Sequence, residues 1–363
     1  MRDEIGQLLW FGFASPTVTP ALQKKLDAGE VGATIVFKRN LVVEDEVTNL
    51  EALAETNRAL HRMAPDGTPA LIAVDHEGGV VQRVREPATH WPPMLRHDAH
   101  PAPADTELAE QIGRALGDEL RAMDFDIDFA PILDVHTNAA NPIIGDRAFG
   151  TDPELAARRA LAFARGLHAA GILSCGKHFP GHGDTATDSH LELPRIDHPW
   201  ARLEAVELLP FLRAAAAKVP MVMTAHVVFA ALDATRPATL SPQVVTGLLR
   251  EKLGYEGVIV SDDLDMKAIA SHMGVDAAAV GAIRAGCDVL LLCRDEMHQA
   301  LAEEALIRES ERDSAFRTLV GIAAARVRLM KKAHARNQRD HVAPTRDVIG
   351  CELHRALAAR LRG

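Results

Sequence analysis

Eight short runs of apolar, largely β-branched residues recur along this chain, each parted from the next by helix-forming or Gly/Pro-rich sequence. That alternation restricts the fold more than any other feature. The runs are Leu8 to Phe13, Ala33 to Phe37, Ala70 to Val74, Ile127 to Val135, Ile172 to Lys177, Met221 to Ala225, Val258 to Ser261 and Val289 to Cys293. Near-continuous apolar strands belong to parallel sheets covered on both faces, and intervening helices supply the crossovers that parallel strands need. Eight such units close into a (β/α)8 TIM barrel; a doubly wound open sheet is the alternative. One helix can be read residue by residue, with Thr151 or Asp152 as N-cap, Pro153 in the first turn, Ala156, Ala160, Phe163 and Leu167 on one face, and Gly171 as the stop. After Cys293 the chain is rich in Ala, Leu, Arg and Glu, and only Val348 and Ile349 look strand-like. The expectation is therefore one α/β domain over residues 1–363, with the barrel at about 7–300 and extra C-terminal helices over 301–363.

Composition narrows the partners. With 47% hydrophobic and 25% charged residues, the 363-residue chain can bury a large core and has no disordered or fibrous bias. A formal charge of −10 argues against nucleic acid or an anionic membrane as the main partner and favours a neutral or small substrate. The four cysteines form no C-x-x-C pair and no zinc spacing, so they read as reduced thiols in a cytoplasmic protein. The apolar run from Leu8 to Ala14 is too short and too poorly flanked for a signal peptide, and no stretch approaches the roughly 20 apolar residues that span a bilayer. A soluble monomer is expected.

Polar residues collect where the runs end. Asp75, Asp134, Lys177 with His178, His226, and Asp262 with Asp263 all lie at or just beyond the C-terminal end of a run. In a barrel those ends converge on one mouth, where active sites of this fold are built. Each residue alone could be a capping group, but recurrence after five runs points to a site. The densest stretch, KHFPGHGDTATDSH from Lys177 to His190, packs two glycines, a proline and three histidines into a loop. Its His178, His182, Asp184, Asp188 and His190 include metal-ligand types, so a metal-dependent barrel hydrolase is one alternative. Against it, the residues after Phe13 are Ala14, Ser15 and Pro16, without the H-x-H pair expected after the first strand of such an enzyme.

The same stretch closely resembles the signature of family 3 glycoside hydrolases, in the form found in their bacterial β-N-acetylhexosaminidase branch. AVDHEGGVVQRVR (73–85), FAPILDV (129–135), IIGDRAFG (143–150) and VIVSDDLDM (258–266) match in the same order, so the resemblance covers roughly four-fifths of the chain. His76 and Val80 depart from it, standing where Gln and Arg are more usual, which bears on substrate contacts rather than on the reaction. The resemblance to the hexosaminidase branch implies an architecture that does without the second domain carried by many β-glucosidases of the family.

The resemblance implies a retaining exo-β-N-acetylglucosaminidase acting through a covalent glycosyl-aspartate, with no metal or cofactor, in the cytoplasmic recycling of peptidoglycan-derived muropeptides. Asp262 matches the nucleophile, and Asp188 with His190 the acid/base dyad, in which a carboxylate on one imidazole nitrogen sets the tautomer and raises the basicity of the other. Asp75, Arg83, Arg147, Lys177 and His178 match the substrate-binding residues. Other readings are an ion pair from Arg83 to Glu77 or Asp75, helix capping by Asp263, a packed structural His226, and backbone roles for Gly78 and Gly79. A β-glucosidase or phosphorylase of the same family, and a non-catalytic sugar-binding barrel, are the competing functions.

Overall fold

The computed structural model describes residues 1–100, 104–185 and 193–363. Eight parallel strands form the centre: β1 (Leu9–Gly12), β2 (Ala33–Val36), β3 (Leu71–Val74), β4 (Ile127–Asp128), β5 (Leu173–Phe179), β6 (Met221–Thr224), β7 (Val258–Val260) and β8 (Leu290–Leu292). Each pairs with its sequence neighbours and β1 with β8, while a parallel bridge between Val260 and Val289 joins β7 to β8 and closes the ring. This is a (β/α)8 barrel, and the open-sheet alternative falls. Alternate residues point to opposite faces of a strand. Trp10, Ile35, Phe129, Met223, Val260 and Leu291 pack inside the barrel, whereas Phe11, Val36, Val222, Ile259 and Leu292 pack outward among the helices. With both faces buried, the period-2 signal disappears from the sequence.

The helix Pro153–Ala169 begins as its residues dictate: the Asp152 side chain accepts a hydrogen bond from the Leu155 N–H at 2.9 Å, and Gly171 ends it at φ +83°. The fourth strand is much shorter than the run Ile127 to Val135 implies. Pro131 has no N–H to give the ladder, so the regular strand ends at Asp128; beyond it the Phe129 N–H still reaches Val74 and the Ala130 carbonyl still accepts from Cys175, and Ile132 forms a single bridge with Lys177. Val348 and Ile349 are not strand either. Arg346–Val348 is a 3-10 turn followed by Gly350 at φ +63°, and the closed ring leaves no edge to pair with.

Buried aspartates stitch neighbouring strands together. Asp126 accepts from the Ile72 N–H, Asp128 from His76, Asp134 from His178, and Asp288 from Ile259, at 2.8–3.1 Å. Each converts a backbone donor at a strand end into a charge-assisted or carboxyl hydrogen bond.

The residues after β8 are helical as expected, in Glu296–Arg312, Ser314–Asp340 and Glu352–Arg362. The 27-residue middle helix plugs the N-terminal end of the barrel, where Val327 and Met330 join the interior cluster. Beside them the buried Lys331 ammonium donates to Gln7 Oε1, the Gly32 carbonyl and the Pro69 carbonyl at 2.7–2.9 Å. Burial pushes its pKa down to about 7 despite the nearby Asp126. Between that value and the unfolded value near 10.4, the unfolded chain holds a proton that the folded chain has lost, so stability rises with pH across this window. Unfolding free energy should therefore increase by on the order of 3 kcal/mol between pH 7 and 10 through this group, read as a rising urea midpoint. Lys331→Met should abolish that component; an unchanged slope in the variant would show that the group does not titrate there.

Candidate active site

A pocket of about 440 Å³ opens at the C-terminal ends of the strands. Its apolar floor is the top of the barrel interior, with Ile35, Phe129, Met223 and Leu291. Its polar wall is assembled from distant loops: Asp75, Glu77 and Arg83 after β3, Arg147 after β4, Lys177, His178 and His182 from β5 and its loop, and Asp262 and Asp263 after β7. Six residues singled out in the sequence, Asp75, Arg83, Arg147, Lys177, His178 and Asp262, thus share one cavity. Asp188 and His190 lie outside the described residues.

The wall is an alternating charge network. Lys177 Nζ donates to Asp75 Oδ1 at 2.8 Å and sits 2.7 Å from Glu77 Oε1, and Arg147 grips Glu77 with both Nε and a terminal nitrogen at 2.8 and 2.9 Å. Arg83 reaches the other oxygen of Asp75 at 3.3 Å. Burial opposes the charge on each group, yet the partners win: Lys177 and Arg83 hold Asp75 below the ordinary carboxylate range, Arg147 and Lys177 lower Glu77, and Asp75 and Glu77 raise Lys177. The site therefore carries fixed ionised acceptors and donors around neutral pH, suited to the hydroxyls of a neutral polyol. From the sequence, Glu77 stands out only as a partner for Arg83. Its role in joining Arg147 to Lys177 needs the contact between loops that lie 70 and 100 residues apart.

Lys177 and His178 both face the pocket, and the peptide between them is cis. The His178 Nδ1 lies 2.8 Å from Asp134 Oδ2. His182 stands edge-on to His178, with ring centroids 5.7 Å apart, and burial, then the neighbouring His178, pushes its pKa down to about 4.

On the far side, the Asp262 side chain accepts from the Asp263 N–H at 2.8 Å. Asp263 does not cap the following helix. Lys267–Ala270 starts at Met266 with no side-chain cap, and Asp263 Oδ1 instead accepts from the N–H groups of Asp265 and Cys293, both at 3.1 Å, tying β7 to β8. Burial, then Asp265 and Asp262, push Asp263 up to about 7, so the two adjacent acids have unlike surroundings. His226 is fully buried behind this turn, with Nε2 donating to the Asp263 carbonyl at 3.0 Å and Nδ1 2.9 Å from Thr239 Oγ1. It is the structural residue of the two readings.

The two departures from the family pattern fall away from the pocket wall. His76 is buried beneath the loop, its N–H bound to Asp128, and Val80 is 68% exposed. Gly78 has φ +96°, and a Cβ there would stand 2.8 Å from the Met94 methyl, so its requirement is local backbone shape. Among the described residues no group of three or more His, Cys, Asp or Glu is arranged to hold a metal ion.

This constellation of a strand-end aspartate opposite a Lys-His pair and an Asp-Glu-Arg network coincides with a match over residues 1–327 to the glycosyl hydrolase family 3 N-terminal domain. The chain belongs to glycosyl hydrolase family 3. As a member it is a glycoside hydrolase. Among similar proteins, a β-hexosaminidase of Tolumonas auensis is 42% identical over 267 residues, covering 73% of this chain and 76% of the relative. A β-hexosaminidase of Methylococcus capsulatus is 38% identical over 312 residues, covering 86% and 90%. Of solved structures, a family 3 β-N-acetylglucosaminidase from Paenibacillus sp. FPU-7 superposes with a TM-score of 0.88 at 35% identity, over 99% of this chain and 68% of that one. The NagZ of Neisseria gonorrhoeae superposes with a TM-score of 0.70 at 32% identity, over 89% and 98%.

Proposed function

We propose that this family 3 hydrolase is a β-N-acetylhexosaminidase that removes terminal, non-reducing β-linked N-acetylglucosamine with retention of configuration. The observation that carries the reading is the position of Asp262, at the end of β7, in the same pocket as the Asp75, Lys177 and His178 network. In the first step the Asp262 carboxylate bonds to the anomeric carbon while the bond to the aglycone oxygen breaks, and His190 gives that oxygen a proton. In the second, water bonds to the anomeric carbon, His190 takes its proton, and the ester to Asp262 breaks. Asp188 orients His190. These two roles rest on the matching motif alone. Asp75, Arg83, Arg147, Lys177 and His178 hold the sugar.

The relatives' names support the sugar and the linkage. We take residues 1–363 to work as a single barrel unit with a helical C-terminal extension, monomeric and cytoplasmic, acting on muropeptides from peptidoglycan. No helix among the described residues is long and apolar enough to cross a membrane.

Trapping tests the mechanism. A 5-fluoro-N-acetylglucosaminyl fluoride should inactivate the enzyme by adding one sugar, and peptide mapping should find it on Asp262. A label on another residue would overturn the assignment. Faster turnover of aryl N-acetylglucosaminide in phosphate, with sugar phosphate as product, would make the enzyme a phosphorylase instead.

A further inference from the structure

We propose that Asp134 is a positioning residue, whose buried carboxylate holds His178 in the tautomer that presents Nε2 to the sugar pocket. Asp134 lies just beyond β4 in the stretch where Pro131 has ended the regular ladder, and it is 1% exposed. Its Oδ2 is 2.8 Å from His178 Nδ1. An ionised carboxylate only accepts hydrogen bonds, so the proton of that contact is on Nδ1. Asp134 is kept ionised by its surroundings: burial opposes the charge, and the contact with His178, then the hydrogen bond from the His182 backbone N–H, outweigh it.

The same carboxylate also accepts from two backbone donors. The His178 N–H is 3.1 Å from both oxygens, and the His182 N–H is 2.6 Å from Oδ1. Asp134 thereby pins both ends of the Phe179–Gly181 turn as well as the ring. His182 stands edge-on against that ring and is held in turn by Thr185 and Asn141: its Nδ1 is 2.8 Å from Thr185 Oγ1, and its carbonyl accepts from Asn141 Nδ2 at 2.9 Å. With Nδ1–H committed to Asp134, the neutral ring offers an acceptor lone pair on Nε2. Beside it the Lys177 ammonium is a pure donor. A sugar hydroxyl between them can donate to one and accept from the other, which an ether or a fluorine cannot do.

Asp134→Asn separates positioning from structural support. The amide oxygen can still take the two backbone N–H groups, but the amide NH2 would face Nδ1 and force the proton to Nε2, so that the pocket acceptor becomes a donor. The reading rests on a sugar occupying this pocket; the ring tautomer is measured without substrate and so stands or fails separately. Long-range proton–nitrogen spectra of the imidazoles, with the His178 signal identified by its loss in His178→Gln, should show Nδ1–H in the wild type and Nε2–H in Asp134→Asn. The variant should keep its fold by circular dichroism and lose about 10- to 100-fold in kcat/KM for an aryl N-acetylglucosaminide, mostly through KM. Asp134→Ala should unfold at a lower temperature than Asp134→Asn. A wild-type ring protonated on Nε2 alone, an unchanged tautomer in Asp134→Asn, or a switched tautomer with unchanged KM would each overturn the proposal.

Discussion

Asp262→Ala should lower kcat/KM for an aryl β-N-acetylglucosaminide by on the order of 10⁴-fold, equivalent to about 5 kcal/mol of lost transition-state stabilisation. The effect is chemical rather than structural. Among its contacts, the hydrogen bond it accepts from the Asp263 N–H is local to the turn, and losing that bond costs about 1 kcal/mol, a shift of about 1–2 degrees in Tm. Thermal denaturation of the variant therefore separates the two causes. The neighbouring acid supplies the control. Asp263 sits near pKa 7, pushed there by burial and by two adjacent carboxylates, and Asn can reproduce the contacts its Oδ1 makes with Asp265 and Cys293. Asp263→Asn should lose less than about tenfold. If the two variants exchanged these outcomes, the nucleophile would be Asp263. Turnover above about a tenth of wild type by both variants would remove the covalent mechanism at this turn altogether.

Lys177→Met should damage both stability and activity. The side chain is 2% exposed and is the only cation touching both Asp75 and Glu77 among the described residues. Removing it leaves Arg147 on Glu77 but only the 3.3 Å contact from Arg83 on Asp75, and breaking a buried pair in this way costs about 3–5 kcal/mol near neutral pH. The pH dependence should change sign. In the wild type Asp75 and Glu77 have depressed pKa values, so their contribution is present above the unfolded carboxylate values near 4 and is lost as pH falls through the lower folded values. In the variant, burial is less opposed at Asp75, its folded pKa rises above the unfolded one, and acidification from pH 7 to 5 should restore stability. Urea midpoints at those two pH values measure this gain, which the same two groups do not give the wild type over that range. A variant that weakens further on acidification would show that Asp75 stays ionised without Lys177. At pH 7 kcat/KM should fall by at least about 100-fold, because a charge-assisted donor to the sugar is lost along with the shape of the wall.

Much of this fold can be read from local pattern. The eight runs, the cap at Asp152 and the stop at Gly171 each depend on residues close in the chain, and each is found where the pattern puts it, within a residue or two. The fourth run is the exception, because apolar content continues through Ile132 to Val135 while Pro131 withholds a backbone donor. Apolarity and hydrogen-bonding capacity are different properties, and only the second makes a ladder.

The site divides in a similar way. Asp75, Lys177, His178 and Asp262 stand out because each ends a strand of a barrel, and the fold sends all such ends to one mouth. Asp263 shows the limit of the same reasoning: an Asp before a helix is a natural cap, yet its carboxylate reaches across to the Cys293 N–H of the next strand. Asp134 and Glu77 show it more strongly. Nothing near Asp134 in sequence announces that it will receive the imidazole of a residue 44 positions later, and nothing near Glu77 announces a bidentate arginine 70 positions later.

What the chain's own order of residues determined is which groups reach the mouth of the barrel, since strand ends are set by local alternation and turn chemistry. Which of those groups touch, which stay ionised, and which nitrogen of an imidazole holds its proton were decided only when the ring closed. Those properties depend on separations of a few ångströms and on exclusion of water, and both arise from contacts between segments that the chain itself keeps far apart.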